Sequence, residues 1–189
     1  DGFVSYPGTA RTFDMTNSSI VITGTGDAWS INPIGIGLTS TDSDVSFNHT
    51  NTNLSIMSGG GLDYADFSFY NAQSEIRGDN TFGMLYFNEG ITINIETGTD
   101  QTVDTIIAVG TCLAPITIQC TNNNSPPGNF TYNNAGLLDT MEVYYCNIYN
   151  VTASSVLLGA YYRANNSNLE YTTTGWNATG SIIGAAYYW

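Results

Sequence analysis

The segment Gly90-Ile91-Thr92-Ile93-Asn94-Ile95 alternates apolar and polar side chains with a period of two, which is the pattern of a half-buried β-strand. Residues 19–23 and 32–39 show related β-branched or alternating patterns. Breakers rich in glycine, proline and asparagine separate further predicted strands near 65–69, 83–88, 104–110, 115–120, 141–149, 154–162 and 180–189. No segment shows the apolar stripe of an amphipathic helix, so the chain is expected to be all-β.

Many short strands at close spacing favour a single β-sandwich domain, immunoglobulin-like or pilin-like, over residues 13–189. A solenoid is less favoured because the sequence shows no repeat of fixed length. Both ends of the chain are unusually apolar. Residues 1–12 begin with Phe3, Val4 and Tyr6 and are predicted either to form a terminal strand of their own sheet or to donate a strand to another copy.

The composition limits the partners that the chain can bind. Of 189 residues only 10% are charged, and 16 acidic residues against three basic ones, all arginines, give a net charge of −13. Binding to nucleic acid or to an anionic membrane surface requires basic side chains, so neither partner is expected. Serine and threonine total 41 and asparagine 21, which is typical of a secreted protein or of one that works in acid.

Export is also indicated by the chain ends and by the glycosylation sequons. The chain starts at Asp1 with no basic segment, and it has no apolar run of about 18 residues, so we expect a processed, extracellular protein without membrane insertion. Several N-linked glycans are predicted because Asn-X-Ser/Thr occurs eight times. The sequon asparagines are Asn17, Asn48, Asn53, Asn123, Asn129, Asn150, Asn165 and Asn177.

Three cysteines suggest one disulfide and one remaining thiol in an oxidising compartment. If the two flanking strands pair across a turn, Cys112 lies closer to Cys146 than Cys120 does, which favours the pair Cys112–Cys146 and leaves Cys120–Cys146 open. The spacing matches no zinc motif, and His49 is the single histidine. No metal site and no cofactor are therefore expected.

Catalysis would require a pair of carboxylates or a nucleophile with its base. Glu142 and Glu170 lie among aromatic neighbours and are the candidate carboxylate pair of a secreted glycoside hydrolase, with Glu89 and Glu96 as other choices. A serine hydrolase would have to use His49, but no Gly-X-Ser-X-Gly elbow is present. Solvent-facing strand carboxylates are the simpler interpretation, so a non-enzymatic function is favoured.

The apolar N-terminal segment from Gly2 to Tyr6, the sequon-rich body and the C-terminal strand with its penultimate Tyr188 together resemble the thread filament subunits of archaeal Sulfolobales. The plan is similar to that of chaperone–usher pilins. This resemblance implies a structural subunit of a cell-surface filament, a head-to-tail homopolymer joined by donor-strand complementation and involved in adhesion. The donor residues would be Phe3, Val4 and Tyr6, and the acceptor groove would be lined by Ile182, Ile183, Tyr187 and Tyr188. A glycosylated viral coat or spike protein is a further alternative.

Overall fold

The protein is a parallel β-solenoid, described here from a computed structural model. The described residues are 2–6, 10–50, 52–122, 126–133, 141–155, 162–171 and 173–179. The described residues wind through eight coils around three faces, and the strands of each face stack from one coil to the next. All strand pairs of the described residues are parallel.

One strand from each of the eight coils forms the first face as a continuous sheet. These strands are β1 (Phe3–Ser5), β4 (Gly26–Ile31), β7 (Ser55–Ser58), β9 (Gln73–Arg77), β11 (Thr92–Ile95), β13 (Ile116–Cys120), β16 (Cys146–Tyr149) and β19 (Asn168–Glu170).

The second and third faces are partly joined. The second face contains β2 (Arg11–Asp14), β5 (Ile36–Thr39), β14 (Gly128–Tyr132) and β17 (Val151–Ser155). The third contains β3 (Ser19–Ile22), β6 (Asp44–Phe47), β15 (Met141–Tyr144), β18 (Tyr162–Asn165) and β20 (Trp176–Thr179). Three long strands run across both faces: β8 (Asp63–Phe69), β10 (Asn80–Phe87) and β12 (Asp100–Val109). In β12, for example, residues 100–103 pair with β14, whereas Ala108 and Val109 pair with β15.

The alternation seen in the sequence decides which side chains fill the solenoid. In β11, Ile93 and Ile95 are fully buried while Thr92 and Asn94 face outwards. Because the strands pair in parallel, side chains at equivalent positions of successive coils stack about 4.8 Å apart. One such interior row on the third face runs Phe47, Phe69, Phe87, Ala108, Val143 and Ala164, all buried.

The predicted β-sandwich is wrong, and so is the argument against a solenoid. The coils are real repeats, but their lengths differ: the paired residues Met57 and Ile76 are 19 positions apart, whereas Ile118 and Ile148 are 30 apart. The coils that contain β8 and β10 each advance by 19 residues, whereas the second coil advances by 28, from Trp29 to Met57. A fixed period is therefore absent although the architecture repeats.

The sandwich completed by a donated strand is wrong for the same reason. β1 pairs in parallel with β4 of its own chain, with Phe3 opposite Trp29. The expected boundary between residues 12 and 13 falls inside β2, and the described strands on either side of residues 7–9, β1 and β2, both belong to the first coil. The predicted acceptor residues Ile182, Ile183, Tyr187 and Tyr188 lie outside the described residues.

Candidate functional site: the open first coil

The first coil, formed by β1, β2 and β3, ends the solenoid on its N-terminal side. Among the described residues each of these strands has one neighbour: β1 pairs with β4, β2 with β5 and β3 with β6. The other edge of each strand carries backbone donors and acceptors with no partner in the described part of the chain. Such edges are templates for the addition of further strands.

Hydrogen bonds to the second coil identify the residues that face the open edge. The carbonyl of Ser5 accepts from the amide of Asn32 at 3.0 Å, so Ser5 faces β4 and the backbone N–H and C=O of Val4 point the opposite way. The carbonyl of Ile22 accepts from the amide of Asn48 at 2.9 Å, which turns the backbone of Val21 to the open edge.

The middle strand of the coil follows the same rule. The amide of Arg11 donates to the carbonyl of Gly35 at 2.8 Å, and that of Met15 donates to Thr39 at 2.8 Å. Backbone groups alternate along a strand, so the N–H and C=O of Thr12 face the open edge. On each of the three faces, one residue near the centre of the strand therefore directs its backbone N–H and C=O to the open edge.

The apolar interior also reaches the surface at this end. Phe3 stacks on Phe13 with ring centroids 4.8 Å apart and planes 13° apart, and it contacts Trp29 of the second coil at 4.7 Å. Phe3, Phe13 and Ile20 are only partly buried, whereas Trp29, one coil further in, is 0% exposed. Solenoids require a polar terminal cap to remain soluble, and the described residues place none over this coil.

The features that commonly protect a strand edge are sparse here. The chain has no lysine, and Val4 and Val21 expose 44% and 56% of their surface. The described charged side chains of the coil, Arg11 and Asp14, already have hydrogen-bond partners. Arg11 donates to the Ser5 hydroxyl and the Asn32 carbonyl, both at 3.2 Å, and the amide and hydroxyl of Thr16 donate to Asp14, which lowers the pKa of that carboxyl.

The predicted donor residues therefore lie in or beside this coil in different settings. Phe3 packs inwards, Val4 lies on the outer surface with its backbone at the open edge, and Tyr6 follows β1 with 76% of its surface exposed. The sequence identified this region as apolar and prone to pairing. The structure places it at an end of the rod, where it already pairs on one side.

The proposed hydrolase pair does not form one site. Glu142 lies on the third face, where Arg163 donates to it at 2.7 Å and Tyr144 also donates a hydrogen bond. Glu170 lies in β19 on the first face. Of the other carboxylates considered, Glu96 accepts from the amide of Gly78 at 2.7 Å and Glu89 lies in the turn before β11.

The eight sequon asparagines fall into different environments. Asn17, Asn48, Asn53 and Asn177 are exposed, whereas Asn129 and Asn165 are half-buried and Asn150 is 2% exposed. The amide of Asn129 donates to Asp100 at 2.9 Å and its carbonyl accepts from Thr152 at 2.9 Å, so this side chain belongs to a polar row between coils. Asn123 lies outside the described residues.

The structure holds all three cysteines as free thiols. Cys112 is exposed in the turn before β13, while Cys120 and Cys146 are buried. Cys146 pairs with Ile116, at the opposite end of β13 from Cys120, and burial raises the pKa of its thiol to about 12. Neither Cys112–Cys146 nor Cys120–Cys146 is bonded.

His49 contacts a serine, but the pair lacks the features of a nucleophilic site. Its Nε2 lies 2.7 Å from the hydroxyl of Ser55, which in turn donates to the Gly24 carbonyl at 2.9 Å. Ser55 is 0% exposed, so no substrate reaches its hydroxyl in this conformation.

A shallow cavity of about 270 Å³ on the second face was not anticipated from the sequence. Its wall includes Asp79, Thr81, Asp100 and Thr102. Asp79 accepts from the amide of Asp100 at 2.8 Å, and Asp100 accepts from the hydroxyl of Thr131. The two carboxylates therefore already form hydrogen bonds that join neighbouring coils. The sequence offered no alternation here, because Asp100, Gln101 and Thr102 are all polar, and only the stacking of coils brings the lining residues together.

Comparison with known proteins identifies no relative: no protein-family model, curated protein or solved structure matches the chain. Within the described residues no helix has the length and apolar character needed to cross a membrane.

Proposed function

We propose that the chain is a structural subunit of an extracellular filament in which copies join head to tail by stacking one coil upon another. The observation that carries the proposal is the open first coil. On each face a backbone N–H and C=O point to the open edge, and the rings of Phe3 and Phe13 are only partly buried. A coil added there would continue three sheets at once.

The last described strands support a second copy as the occupant. β19 and β20 end the sheets of the first and third faces among the described residues, and the Thr174 carbonyl accepts from the amide of Ala153 on the second face. The described residues thus visit the same three faces, in the same order, in their first and last coils. A contact between unlike ends is heterologous and need not close, so repetition produces a fibre rather than a ring.

The expected strength of the joint follows from what remains exposed. Completing the burial of Phe3, Phe13 and Ile20 contributes on the order of 3–5 kcal/mol before ordering costs. Backbone hydrogen bonds on three faces add directionality, because parallel pairing fixes the orientation of the incoming coil. All three strands must separate together, which favours slow dissociation.

The composition and sequons support an extracellular, glycosylated location for this filament. We expect glycans at the exposed Asn17, Asn48, Asn53 and Asn177, and none at Asn150, whose side chain is buried. Glycopeptide mapping and intact mass of the protein from its native source test this expectation. An unmodified mass of 20.3 kDa would contradict it.

The assembly proposal is tested by removing edge-facing amides without changing the intrachain ladder. Proline lacks an N–H and is tolerated on strand edges, so Val4→Pro combined with Val21→Pro should block coil addition. The matched control, Val4→Thr with Val21→Thr, keeps both β-branching and the amides. Electron microscopy and light scattering should show filaments for the parent and control and monomers for the proline variant, with circular dichroism unchanged.

Two outcomes would overturn the proposal. One is normal filament formation by the folded proline variant. The other is hydrogen exchange showing that the Val4 and Val21 amides are protected in a monomer, because the open edge would then be covered by the chain's own residues.

A further inference from the structure

The outer surface of the first face forms a flat array of amide and hydroxyl groups. Parallel register aligns the outward side chains of β11, β13, β16 and β19 in two rows. The rows are Thr92, Thr117, Asn147 and Asn168, and Asn94, Gln119, Tyr149 and Glu170. Neighbouring members interact directly, since Gln119 Nε2 donates to Asn94 Oδ1 at 2.8 Å. Neither row contains a basic side chain.

An aromatic pair ends this array at the last described coil. The rings of Tyr149 and Tyr171 lie 6.4 Å apart with planes inclined by 55°. Tyr149 is half-buried, whereas Tyr171 exposes 67% of its surface. A large exposed aromatic ring beside polar groups provides an apolar platform with hydrogen-bonding neighbours.

Tyr171 is held in an unusual backbone conformation. Its φ is +60°, a region that bulky side chains rarely adopt. This conformation occurs directly after β19, at the point where the chain turns away from the first face. Asn150, at the equivalent position one coil earlier, has φ +52°, so this turn conformation recurs along the first face.

The polar groups beside the rings are already oriented. Asn168 Nδ2 donates to Glu170 Oε1 at 2.7 Å at the exposed surface of the first face. Burial and then the nearby Glu170 charge raise the pKa of Tyr149. A tyrosine phenol is protonated at neutral pH with or without this shift, so it can donate a hydrogen bond. The cluster therefore offers a carboxylate acceptor, an amide and a phenol within one coil spacing.

We propose that Tyr149, Asn168, Glu170 and Tyr171 form a binding site for neutral carbohydrate. A pyranose ring has one apolar C–H surface that stacks on an aromatic ring, and hydroxyls at its rim that bond to carboxylates and amides. The array of amides and hydroxyls along the first face provides contacts for further sugar units. The net charge of −13 and the absence of basic side chains in the two rows disfavour uronates and phosphates.

The side chains of this site face outwards from the first face, but Asn168 and Glu170 lie in β19, the strand on which the proposed joint would form. The site would give a filament, or a single subunit, the capacity to adhere to a glycan-coated surface. No catalytic step is involved.

The test uses a printed array of neutral and anionic glycans, followed by affinity electrophoresis in gels containing mannan, xylan, laminarin or polygalacturonate. We expect the full chain to bind at least one neutral glycan and to be retarded by a neutral polysaccharide. Tyr171→Gly removes the ring while keeping a residue that tolerates positive φ, and Glu170→Gln removes the charge. Each should weaken binding at least tenfold.

Tyr70→Ala is the matched control, because Tyr70 also exposes a tyrosine ring beside another tyrosine, Tyr86 at 5.3 Å, but lies outside the array on the first face. This variant should bind as the parent does, and circular dichroism should confirm that all variants are folded. The proposal is overturned if no neutral glycan binds, if polygalacturonate is the ligand instead, or if folded Tyr171→Gly retains full binding.

Discussion

The close approach of the last two coils at Gly175 leads to a sharp prediction for Gly175→Ala. Gly175 has φ +85°, and a Cβ at this position would lie 1.7 Å from the carbonyl oxygen of Ala153. Gly26 has φ +71° but open space around its Cβ position. Gly26→Ala is therefore a matched control that carries the backbone strain without the collision.

The expected magnitudes differ for physical reasons that can be separated. A left-handed alanine costs about 1–2 kcal/mol, partly offset by about 0.4–1 kcal/mol from a less flexible unfolded chain, so Gly26→Ala should cost about 1 kcal/mol. In Gly175→Ala the backbone must move, which breaks the 2.9 Å bond from the Ala153 amide to Thr174 and shifts Trp176, whose indole donates to Val151 at 3.0 Å. We expect a total of about 4 kcal/mol.

The loss should be local, because each coil of a solenoid contacts only its neighbours. Hydrogen exchange at the Ala153 amide should accelerate strongly in Gly175→Ala and stay unchanged in Gly26→Ala. The fluorescence of Trp176, which is 8% exposed, should shift to the red. Equal stability losses in the two variants, or unchanged exchange at Ala153, would refute the packing argument.

Two further predictions concern thiols and pH. In the native protein a thiol reagent should label Cys112 alone, and Cys120 and Cys146 should react after denaturation, because both are buried; a native protein lacking any reactive thiol would contradict this. Burial, then Asp44 and Asp42, raise the pKa of Asp66, so the folded state binds this proton more tightly and stability falls as pH rises through that pKa. Asp66→Asn should accordingly raise the melting temperature at pH 7 but not at pH 3. Hydrogen bonds from Thr16 lower the pKa of the Asp14 carboxyl, so Asp14→Asn should lower the melting temperature at pH 7. If both variants changed the melting temperature at pH 7 in the same direction, these interactions would not control the titration.

Local pattern determined the secondary structure of this chain. The alternation in 90–95 correctly predicted which side chains of β11 face the core, and the absence of helical periodicity correctly predicted an all-β fold. These properties depend on the two-residue geometry of a strand, which every segment carries within itself.

The partner of each strand was decided by the tertiary structure. Alternation is the same whether a strand pairs antiparallel in a sandwich or parallel in a coil, and turns of unequal length hid the repeat, so the sandwich and its donated strand were predicted wrongly. The same limit applies to the sites. Glu142 and Glu170 were predicted as a pair from the sequence but lie on different faces. Tyr149, Asn168 and Tyr171 come together because the winding places residues about twenty positions apart on adjacent coils, and no local sequence pattern encodes that proximity.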